Sequence, residues 1–213
     1  MSVDAVLDDL HLTAFMSSKI CHDLVGPVGA INNGLELLDE ETDEQTRAYA
    51  FELIQFSAAA ARARLEYARL AFGASTAIGS EIDLRYAEGI VRTFVEEGKH
   101  KLHWDVAAGN LEKNKARLLL ILLAVVMPAI PAGGDIFTKM TGDLSAPQFE
   151  LRCSGRGARI PEGLEDIFAG RSVAVDPRSV IGYYAARLAR AADMTLTVRK
   201  ERGDIVFEAK PRR

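Results

Sequence analysis

Between residues 17 and 38 the chain places Ser17, Cys21, Leu24, Val28, Ile31, Leu35 and Leu38 in alternating steps of four and three. That is the heptad spacing of a helix packed along a bundle seam. The opposite face takes Lys19, His22, Gly26, Gly29, Asn33 and Glu36, so His22 is expected to point to solvent. A second helical period, over about residues 43–73, carries Leu53, Ile54, Ser57, Ala60, Ala61, Leu65, Ala68 and Phe72. Its alanines permit close approach of a neighbouring helix. Thr42 followed by Gln45 has the spacing of a capping box for this second helix. The short turn between the two makes an antiparallel hairpin. A hairpin alone cannot bury a heptad stripe, whereas two copies give a four-helix bundle, so the pattern predicts a homodimer.

After "GASTAIGS", a small-residue linker, the periodicity changes. Strands are expected at 82–86, 102–106, 136–140, 149–153, 195–200 and 204–208, with helices at 87–97, 114–127 and 178–192. This order predicts an α+β sandwich with its helices on one face of the sheet. "RGD" at 202–204 suits a hairpin turn between the last two strands. The chain therefore divides into a helical hairpin, residues 1–75, and an α/β domain, residues 80–213.

Composition narrows the function. The 213 residues are 48% hydrophobic and 26% charged, with a net charge of −4, which argues against nucleic-acid binding. Cys21 and Cys153 are the two cysteines and form no CxxC or disulfide framework, consistent with a reducing, cytoplasmic setting. The acidic start "MSVDAVLDDLHLTAF" is unlike a signal peptide. The run "LLLILLAVVMPAIPA" is too short and too proline-rich for a membrane span and suits a core helix. His100 and His103 fall on opposite faces of a strand without ligand-spaced thiols or carboxylates, so no metal site is expected. His11 is expected to be solvated and Trp104 to pack.

His22 has more pointed surroundings. Pro27 removes the backbone bond to the carbonyl of Asp23. A mid-helix proline costs about 3 kcal/mol, and each glycine about 1 kcal/mol relative to alanine. A stretch selected only for helix stability would avoid Gly26, Pro27 and Gly29. The two glycines share the face of His22 and leave it bare for close approach by another protein. An ordinary imidazole, with a pKa near about 6.5, has a free lone pair at neutral pH and suits nucleophilic transfer through a covalent intermediate. Asp23 is placed to hydrogen-bond Nδ1–H and fix the tautomer. Lys19, one turn earlier, sets a positive charge near an anion held on the ring.

"HDLVGP", residues 22–27, resembles the H-box of bacterial sensor histidine kinases: His, an acidic residue, then Pro five positions after the His. The second domain resembles the kinase ATP-binding fold, with departures at each nucleotide box. "LLLILLAVVMPAIPAGG" lacks the family's asparagine, and Cys153-Ser154-Gly155-Arg156-Gly157 stands where the family has Asp-x-Gly-x-Gly. The phosphate loop is reduced to "SVIGYYAARLA". An intact H-box joined to a degenerate ATP domain is similar to the ChpT-like histidine phosphotransferases, and the likeness covers the whole chain. It implies a dimer with no cofactor of its own, carrying phosphoryl on His22 from the aspartate of one receiver domain to that of a response regulator. Mg²⁺ belongs to the receiver partner in this picture. Arg156 and Arg159, in the loop that would frame nucleotide, are candidates with Lys19, Gly26, Pro27 and Gly29 for docking the receiver. A divergent histidine kinase, and a dimeric adaptor that binds receivers without carrying phosphate, stay open as alternatives.

Overall fold

The computed structural model describes residues 7–40, 43–73, 81–171 and 174–212. Helix α1, Asp9–Glu40, begins where Asp8 accepts the main-chain N–H of His11 at 2.8 Å. That bond holds the Asp8 carboxyl below its ordinary range. His11 is exposed, as expected. Helix α2, Glu44–Phe72, is capped by Asp43, which accepts from the N–H and the hydroxyl of Thr46, both at 2.9 Å. Thr42, the predicted cap, and most of the predicted linker lie outside the described residues.

The two helices meet along a stripe other than the heptad. On α1 the buried residues are Leu12, Met16, Pro27 and Gly34; on α2 they include Ala50, Ser57, Ala60 and Ala63. At Gly34 the helices nearly touch, since a Cβ there would stand 2.6 Å from Ile54 Cγ1 and 3.2 Å from the Ala50 carbonyl oxygen. The predicted seam is partly open: Val28 is 55% exposed and Leu35 49%, while Leu24, Ile31 and Leu38 are half-buried. The heptad therefore borders the hairpin contact along Leu24, Ile31 and Leu38 and leaves its other edge, Val28 and Leu35, uncovered.

The rest of the chain folds as strands β1 Glu81–Asp83, β2 His100–Asp105, β3 Asn110–Glu112, β4 Gly134–Thr141, β5 Gln148–Ser154, β6 Met194–Glu201 and β7 Asp204–Pro211. Among them stand α3 Leu84–Glu96, α4 Lys113–Val126, α5 Leu164–Phe168 and α6 Val180–Ala191. The main sheet has the order β2-β4-β5-β7-β6, parallel only between β2 and β4; β1 and β3 form a small antiparallel pair. The strand predicted at 82–86 ends early, because Asp83 accepts the N–H of Arg85 at 2.8 Å and starts α3. Glu112 does the same for α4 through the N–H groups of Asn114 and Lys115. The turn between β6 and β7 puts Arg202 at φ 52° and Gly203 at φ 101°, the doubly positive geometry of a tight hairpin.

Alternate residues of β4 and β5, among them Ile136, Leu151 and Cys153, pack against α4, whose Leu118–Leu123 stretch is fully buried. Each such leucine contributes about 1.5–3 kcal/mol when removed from water. Trp104 packs against this core, as expected. The same continuous core takes in Leu12, Met16, Tyr67, Leu70 and Ala71 from the base of the hairpin. Tyr67 stacks on Phe94 with ring centroids 3.8 Å apart and donates its hydroxyl to the Leu120 carbonyl at 3.0 Å. Burial first, and the charge of Asp23 second, push its phenol pKa upward. Arg117 Nε donates to the Ala71 carbonyl at 2.9 Å. The hairpin is thus packed directly onto the sandwich. Among the described residues no helix is long and apolar enough to cross a membrane.

Candidate functional site at His22

His22 stands near the middle of α1, with its side chain 86% exposed. Gly26 and Gly29 are exposed on the same helix, and a Cβ built on either would have nothing within 4 Å. The imidazole therefore projects from a bare stretch of helix.

Three expectations change on contact with the geometry. The first concerns Pro27, which is buried against α2 rather than presented to a partner. Buried there, its ring offers no surface to a docking partner. The second concerns Asp23, expected to hold Nδ1 of His22. The nearest carboxylate oxygen is 3.8 Å from Nδ1, too far for a hydrogen bond. Instead, Lys19 Nζ reaches both Asp23 oxygens at 2.5 Å. Lys19, the third, is consequently half-buried and paired, one turn along the same helix, rather than a free cation beside the ring.

The carbonyl that Pro27 leaves without its helical donor is not orphaned. Arg64, from α2, donates Nη1–H to the Asp23 carbonyl oxygen at 2.5 Å. The same guanidinium forms a fork with Glu97, at 2.7 Å through Nη2 and 3.2 Å through Nε. Glu97 is the C-cap of α3 and its side chain is only 14% exposed. Neither Arg64 nor Glu97 was picked out from the sequence. The signal was present in part: a proline at 27 requires some donor for carbonyl 23, but the sequence does not say which one.

The remaining candidates sit elsewhere. Arg156 and Arg159 are exposed in the loop after β5. Cys153, where the kinase family would have its adenine-reading carboxylate, faces inward near the Val126 carbonyl, and burial pushes its thiol up to about 12. His103 pairs with Asp135 at 2.6 Å and stacks on Phe137. No group of His, Cys, Asp and Glu among the described residues could hold a metal ion.

An exposed imidazole on a helical hairpin, joined to a mixed α/β sandwich, is the arrangement set against known proteins. Residues 84–204, more than half of the chain, match the model of the histidine phosphotransferase C-terminal domain. The protein phosphotransferase ChpT of Brucella abortus is 38% identical over 211 residues, covering 98% of this chain and all of that protein. A solved bacterial phosphotransferase superposes with a TM-score of 0.87 at 37% identity, covering 98% of this chain and all of the other. A histidine kinase domain from the blue-light-activated kinase of Erythrobacter litoralis superposes with a TM-score of 0.50 at 13% identity, covering 86% of this chain and 95% of its own, a likeness of fold alone. This chain belongs to the histidine phosphotransferase family and is a phosphotransferase.

Proposed function

We propose that His22 is the phosphoryl carrier of a phosphorelay. A phosphorylated receiver domain docks on the bare face of α1, and a ring nitrogen of His22 attacks phosphorus in line with the acyl-phosphate bond. The N–P bond forms as the O–P bond breaks, and the receiver aspartate leaves as a carboxylate. In the second half the aspartate of a response regulator attacks the phosphoimidazole and the ring nitrogen departs, restoring His22. Mg²⁺ belongs to the receivers' acidic pockets, and neither step draws on ATP. Nδ1 lies on the side of Asp23, which leaves Nε2 as the nitrogen that attacks. The observation that carries this reading is the exposed His22, followed on the same face by two glycines that meet no other side chain among the described residues.

Asp23, tied to Lys19, presents a compensated pair beside the ring rather than a bare negative charge that would repel a phosphoryl group. Arg156 and Arg159, exposed and cationic, are proposed as a second contact for acidic receivers. Substituting both by Ala should slow transfer; unchanged rates in both directions would remove them from the docking surface. A homodimer, closed by the open heptad face of α1, completes the proposal, with a cytoplasmic location.

The deciding experiment is labelled-phosphate uptake by the purified protein. It is offered ATP alone, or a pre-phosphorylated receiver, each repeated with His22→Ala. Label from the receiver alone, and lost with His22→Ala, is the expected result. Label from ATP alone would instead make the protein a kinase. Receiver binding with no label from either source would make it an adaptor.

A further inference from the structure

We propose that Arg64 is a positioning residue for His22. It supplies the Asp23 carbonyl with the donor that Pro27 takes away, and so fixes the backbone that carries the histidine. The inference rests on the carrier reading of His22. Its physical basis is a chain of contacts across three helices. Pro27 has no N–H, so the carbonyl four residues earlier has lost its helical partner. Arg64 Nη1 fills that place at 2.5 Å, and the other edge of the guanidinium is held by Glu97 at the end of α3. Arg64 is half-buried and Glu97 more so, which shelters both charge-assisted contacts from solvent.

The arrangement joins two properties that conflict in an ordinary helix. Proline at 27 packs into the hairpin, yet without another donor it would leave the turn after His22 short of a bond. Arg64 restores that bond from outside the helix and ties it to the α/β domain. Residue 23 adjoins His22, so a shift of this carbonyl moves the imidazole directly. Transfer requires the nucleophile to be aligned with the acyl phosphate, and a displacement of about 1 Å can cost about a hundredfold.

The test separates this role from that of a simple tether between helices. In a Pro27→Ala background the N–H of the new alanine donates to the Asp23 carbonyl, so Arg64 becomes redundant there. Arg64→Ala should slow phosphoryl uptake from a phosphorylated receiver by about tenfold with Pro27 present. In the Pro27→Ala background the same change should cost less than about threefold. Arg64→Lys, which keeps a charge opposite Glu97 but not the fork, should fall between, and it serves if Arg64→Ala does not fold. Amide exchange of α1 gives a readout without any partner: the amides of residues 24–26 and 28 should exchange faster in Arg64→Ala, and not when Pro27→Ala is also present. Equal losses in both backgrounds would mean that Arg64 acts only as a tether and would overturn the proposal. Failure of the wild-type protein to accept label would instead sink the carrier reading, and the exchange data would still decide whether Arg64 holds the backbone.

Discussion

At Gly26 and Gly29 the helix accepts residues that cost about 1 kcal/mol each relative to alanine, although a Cβ at either would meet nothing within 4 Å. No contact among the described residues requires them. Gly29→Ala should therefore raise thermal stability while slowing transfer, because the added methyl stands on the surface that a receiver must approach beside His22. A thermal melt paired with a transfer assay reads both; a stabilised protein with unchanged transfer would show that partners do not touch this face. Cys153 makes the opposite case. Its side chain is fully buried among apolar groups, so Cys153→Asp would place an uncompensated carboxylate in the core rather than recreate an adenine site. That substitution should cost about 3 kcal/mol or more of stability and confer no ATP binding, measured by denaturant unfolding and by nucleotide titration.

Helix ends and faces are set by different information, and α2 illustrates this. Its start depends on Asp43, whose carboxyl is lowered chiefly by the bond from the Thr46 N–H and then by the Thr46 hydroxyl. A folded-state pKa below the ordinary 3.8 means that this contribution is present above about that pH and is lost as the carboxyl protonates below it. Asp43→Asn, still a capping residue but one that does not titrate there, should flatten the stability–pH curve below pH 4, as followed by circular dichroism. Asp43 was not singled out in the sequence because the capping-box spacing of Thr42 and Gln45 begins one residue earlier. The same holds at 82–86, where alternating residues suggested a strand but Asp83 turns the chain into α3. Long elements were legible: α1, α2, α4, α6 and the β6–β7 hairpin follow their periodicity closely. β3 and α5 are too short to leave a period. Within the site, His22 stood out because its neighbours contradict helix stability. Arg64 and Glu97 did not, since a contact across 41 residues or 33 residues leaves no local pattern.

For the whole molecule, one edge of the α1 heptad, Val28 and Leu35, is a surface rather than an internal contact. Val25, Val28 and Leu35 are exposed along one side of a helix whose other side already holds α2 through Pro27 and Gly34. Large apolar side chains repeating along a helix and left open to water favour a second helix, and a two-fold axis supplies one by pairing this stripe with itself. Across such an axis every substitution is introduced twice. Val28→Glu would bring two carboxylates into one seam, where burial and like charge both oppose association. The wild-type chain should sediment at twice its 23.2 kDa mass and Val28→Glu at once that mass, with α/β folding retained because the core of the sandwich lies elsewhere. If Val28→Glu remains dimeric, the seam lies on the other exposed apolar residues, such as Tyr49 and Phe56 of α2. A monomeric wild type would dispose of the four-helix bundle altogether. The outcome also bears on His22: a monomer that still accepts phosphoryl at the full rate would mean that each hairpin, braced by its own sandwich through Arg64 and Glu97, is sufficient to present the histidine.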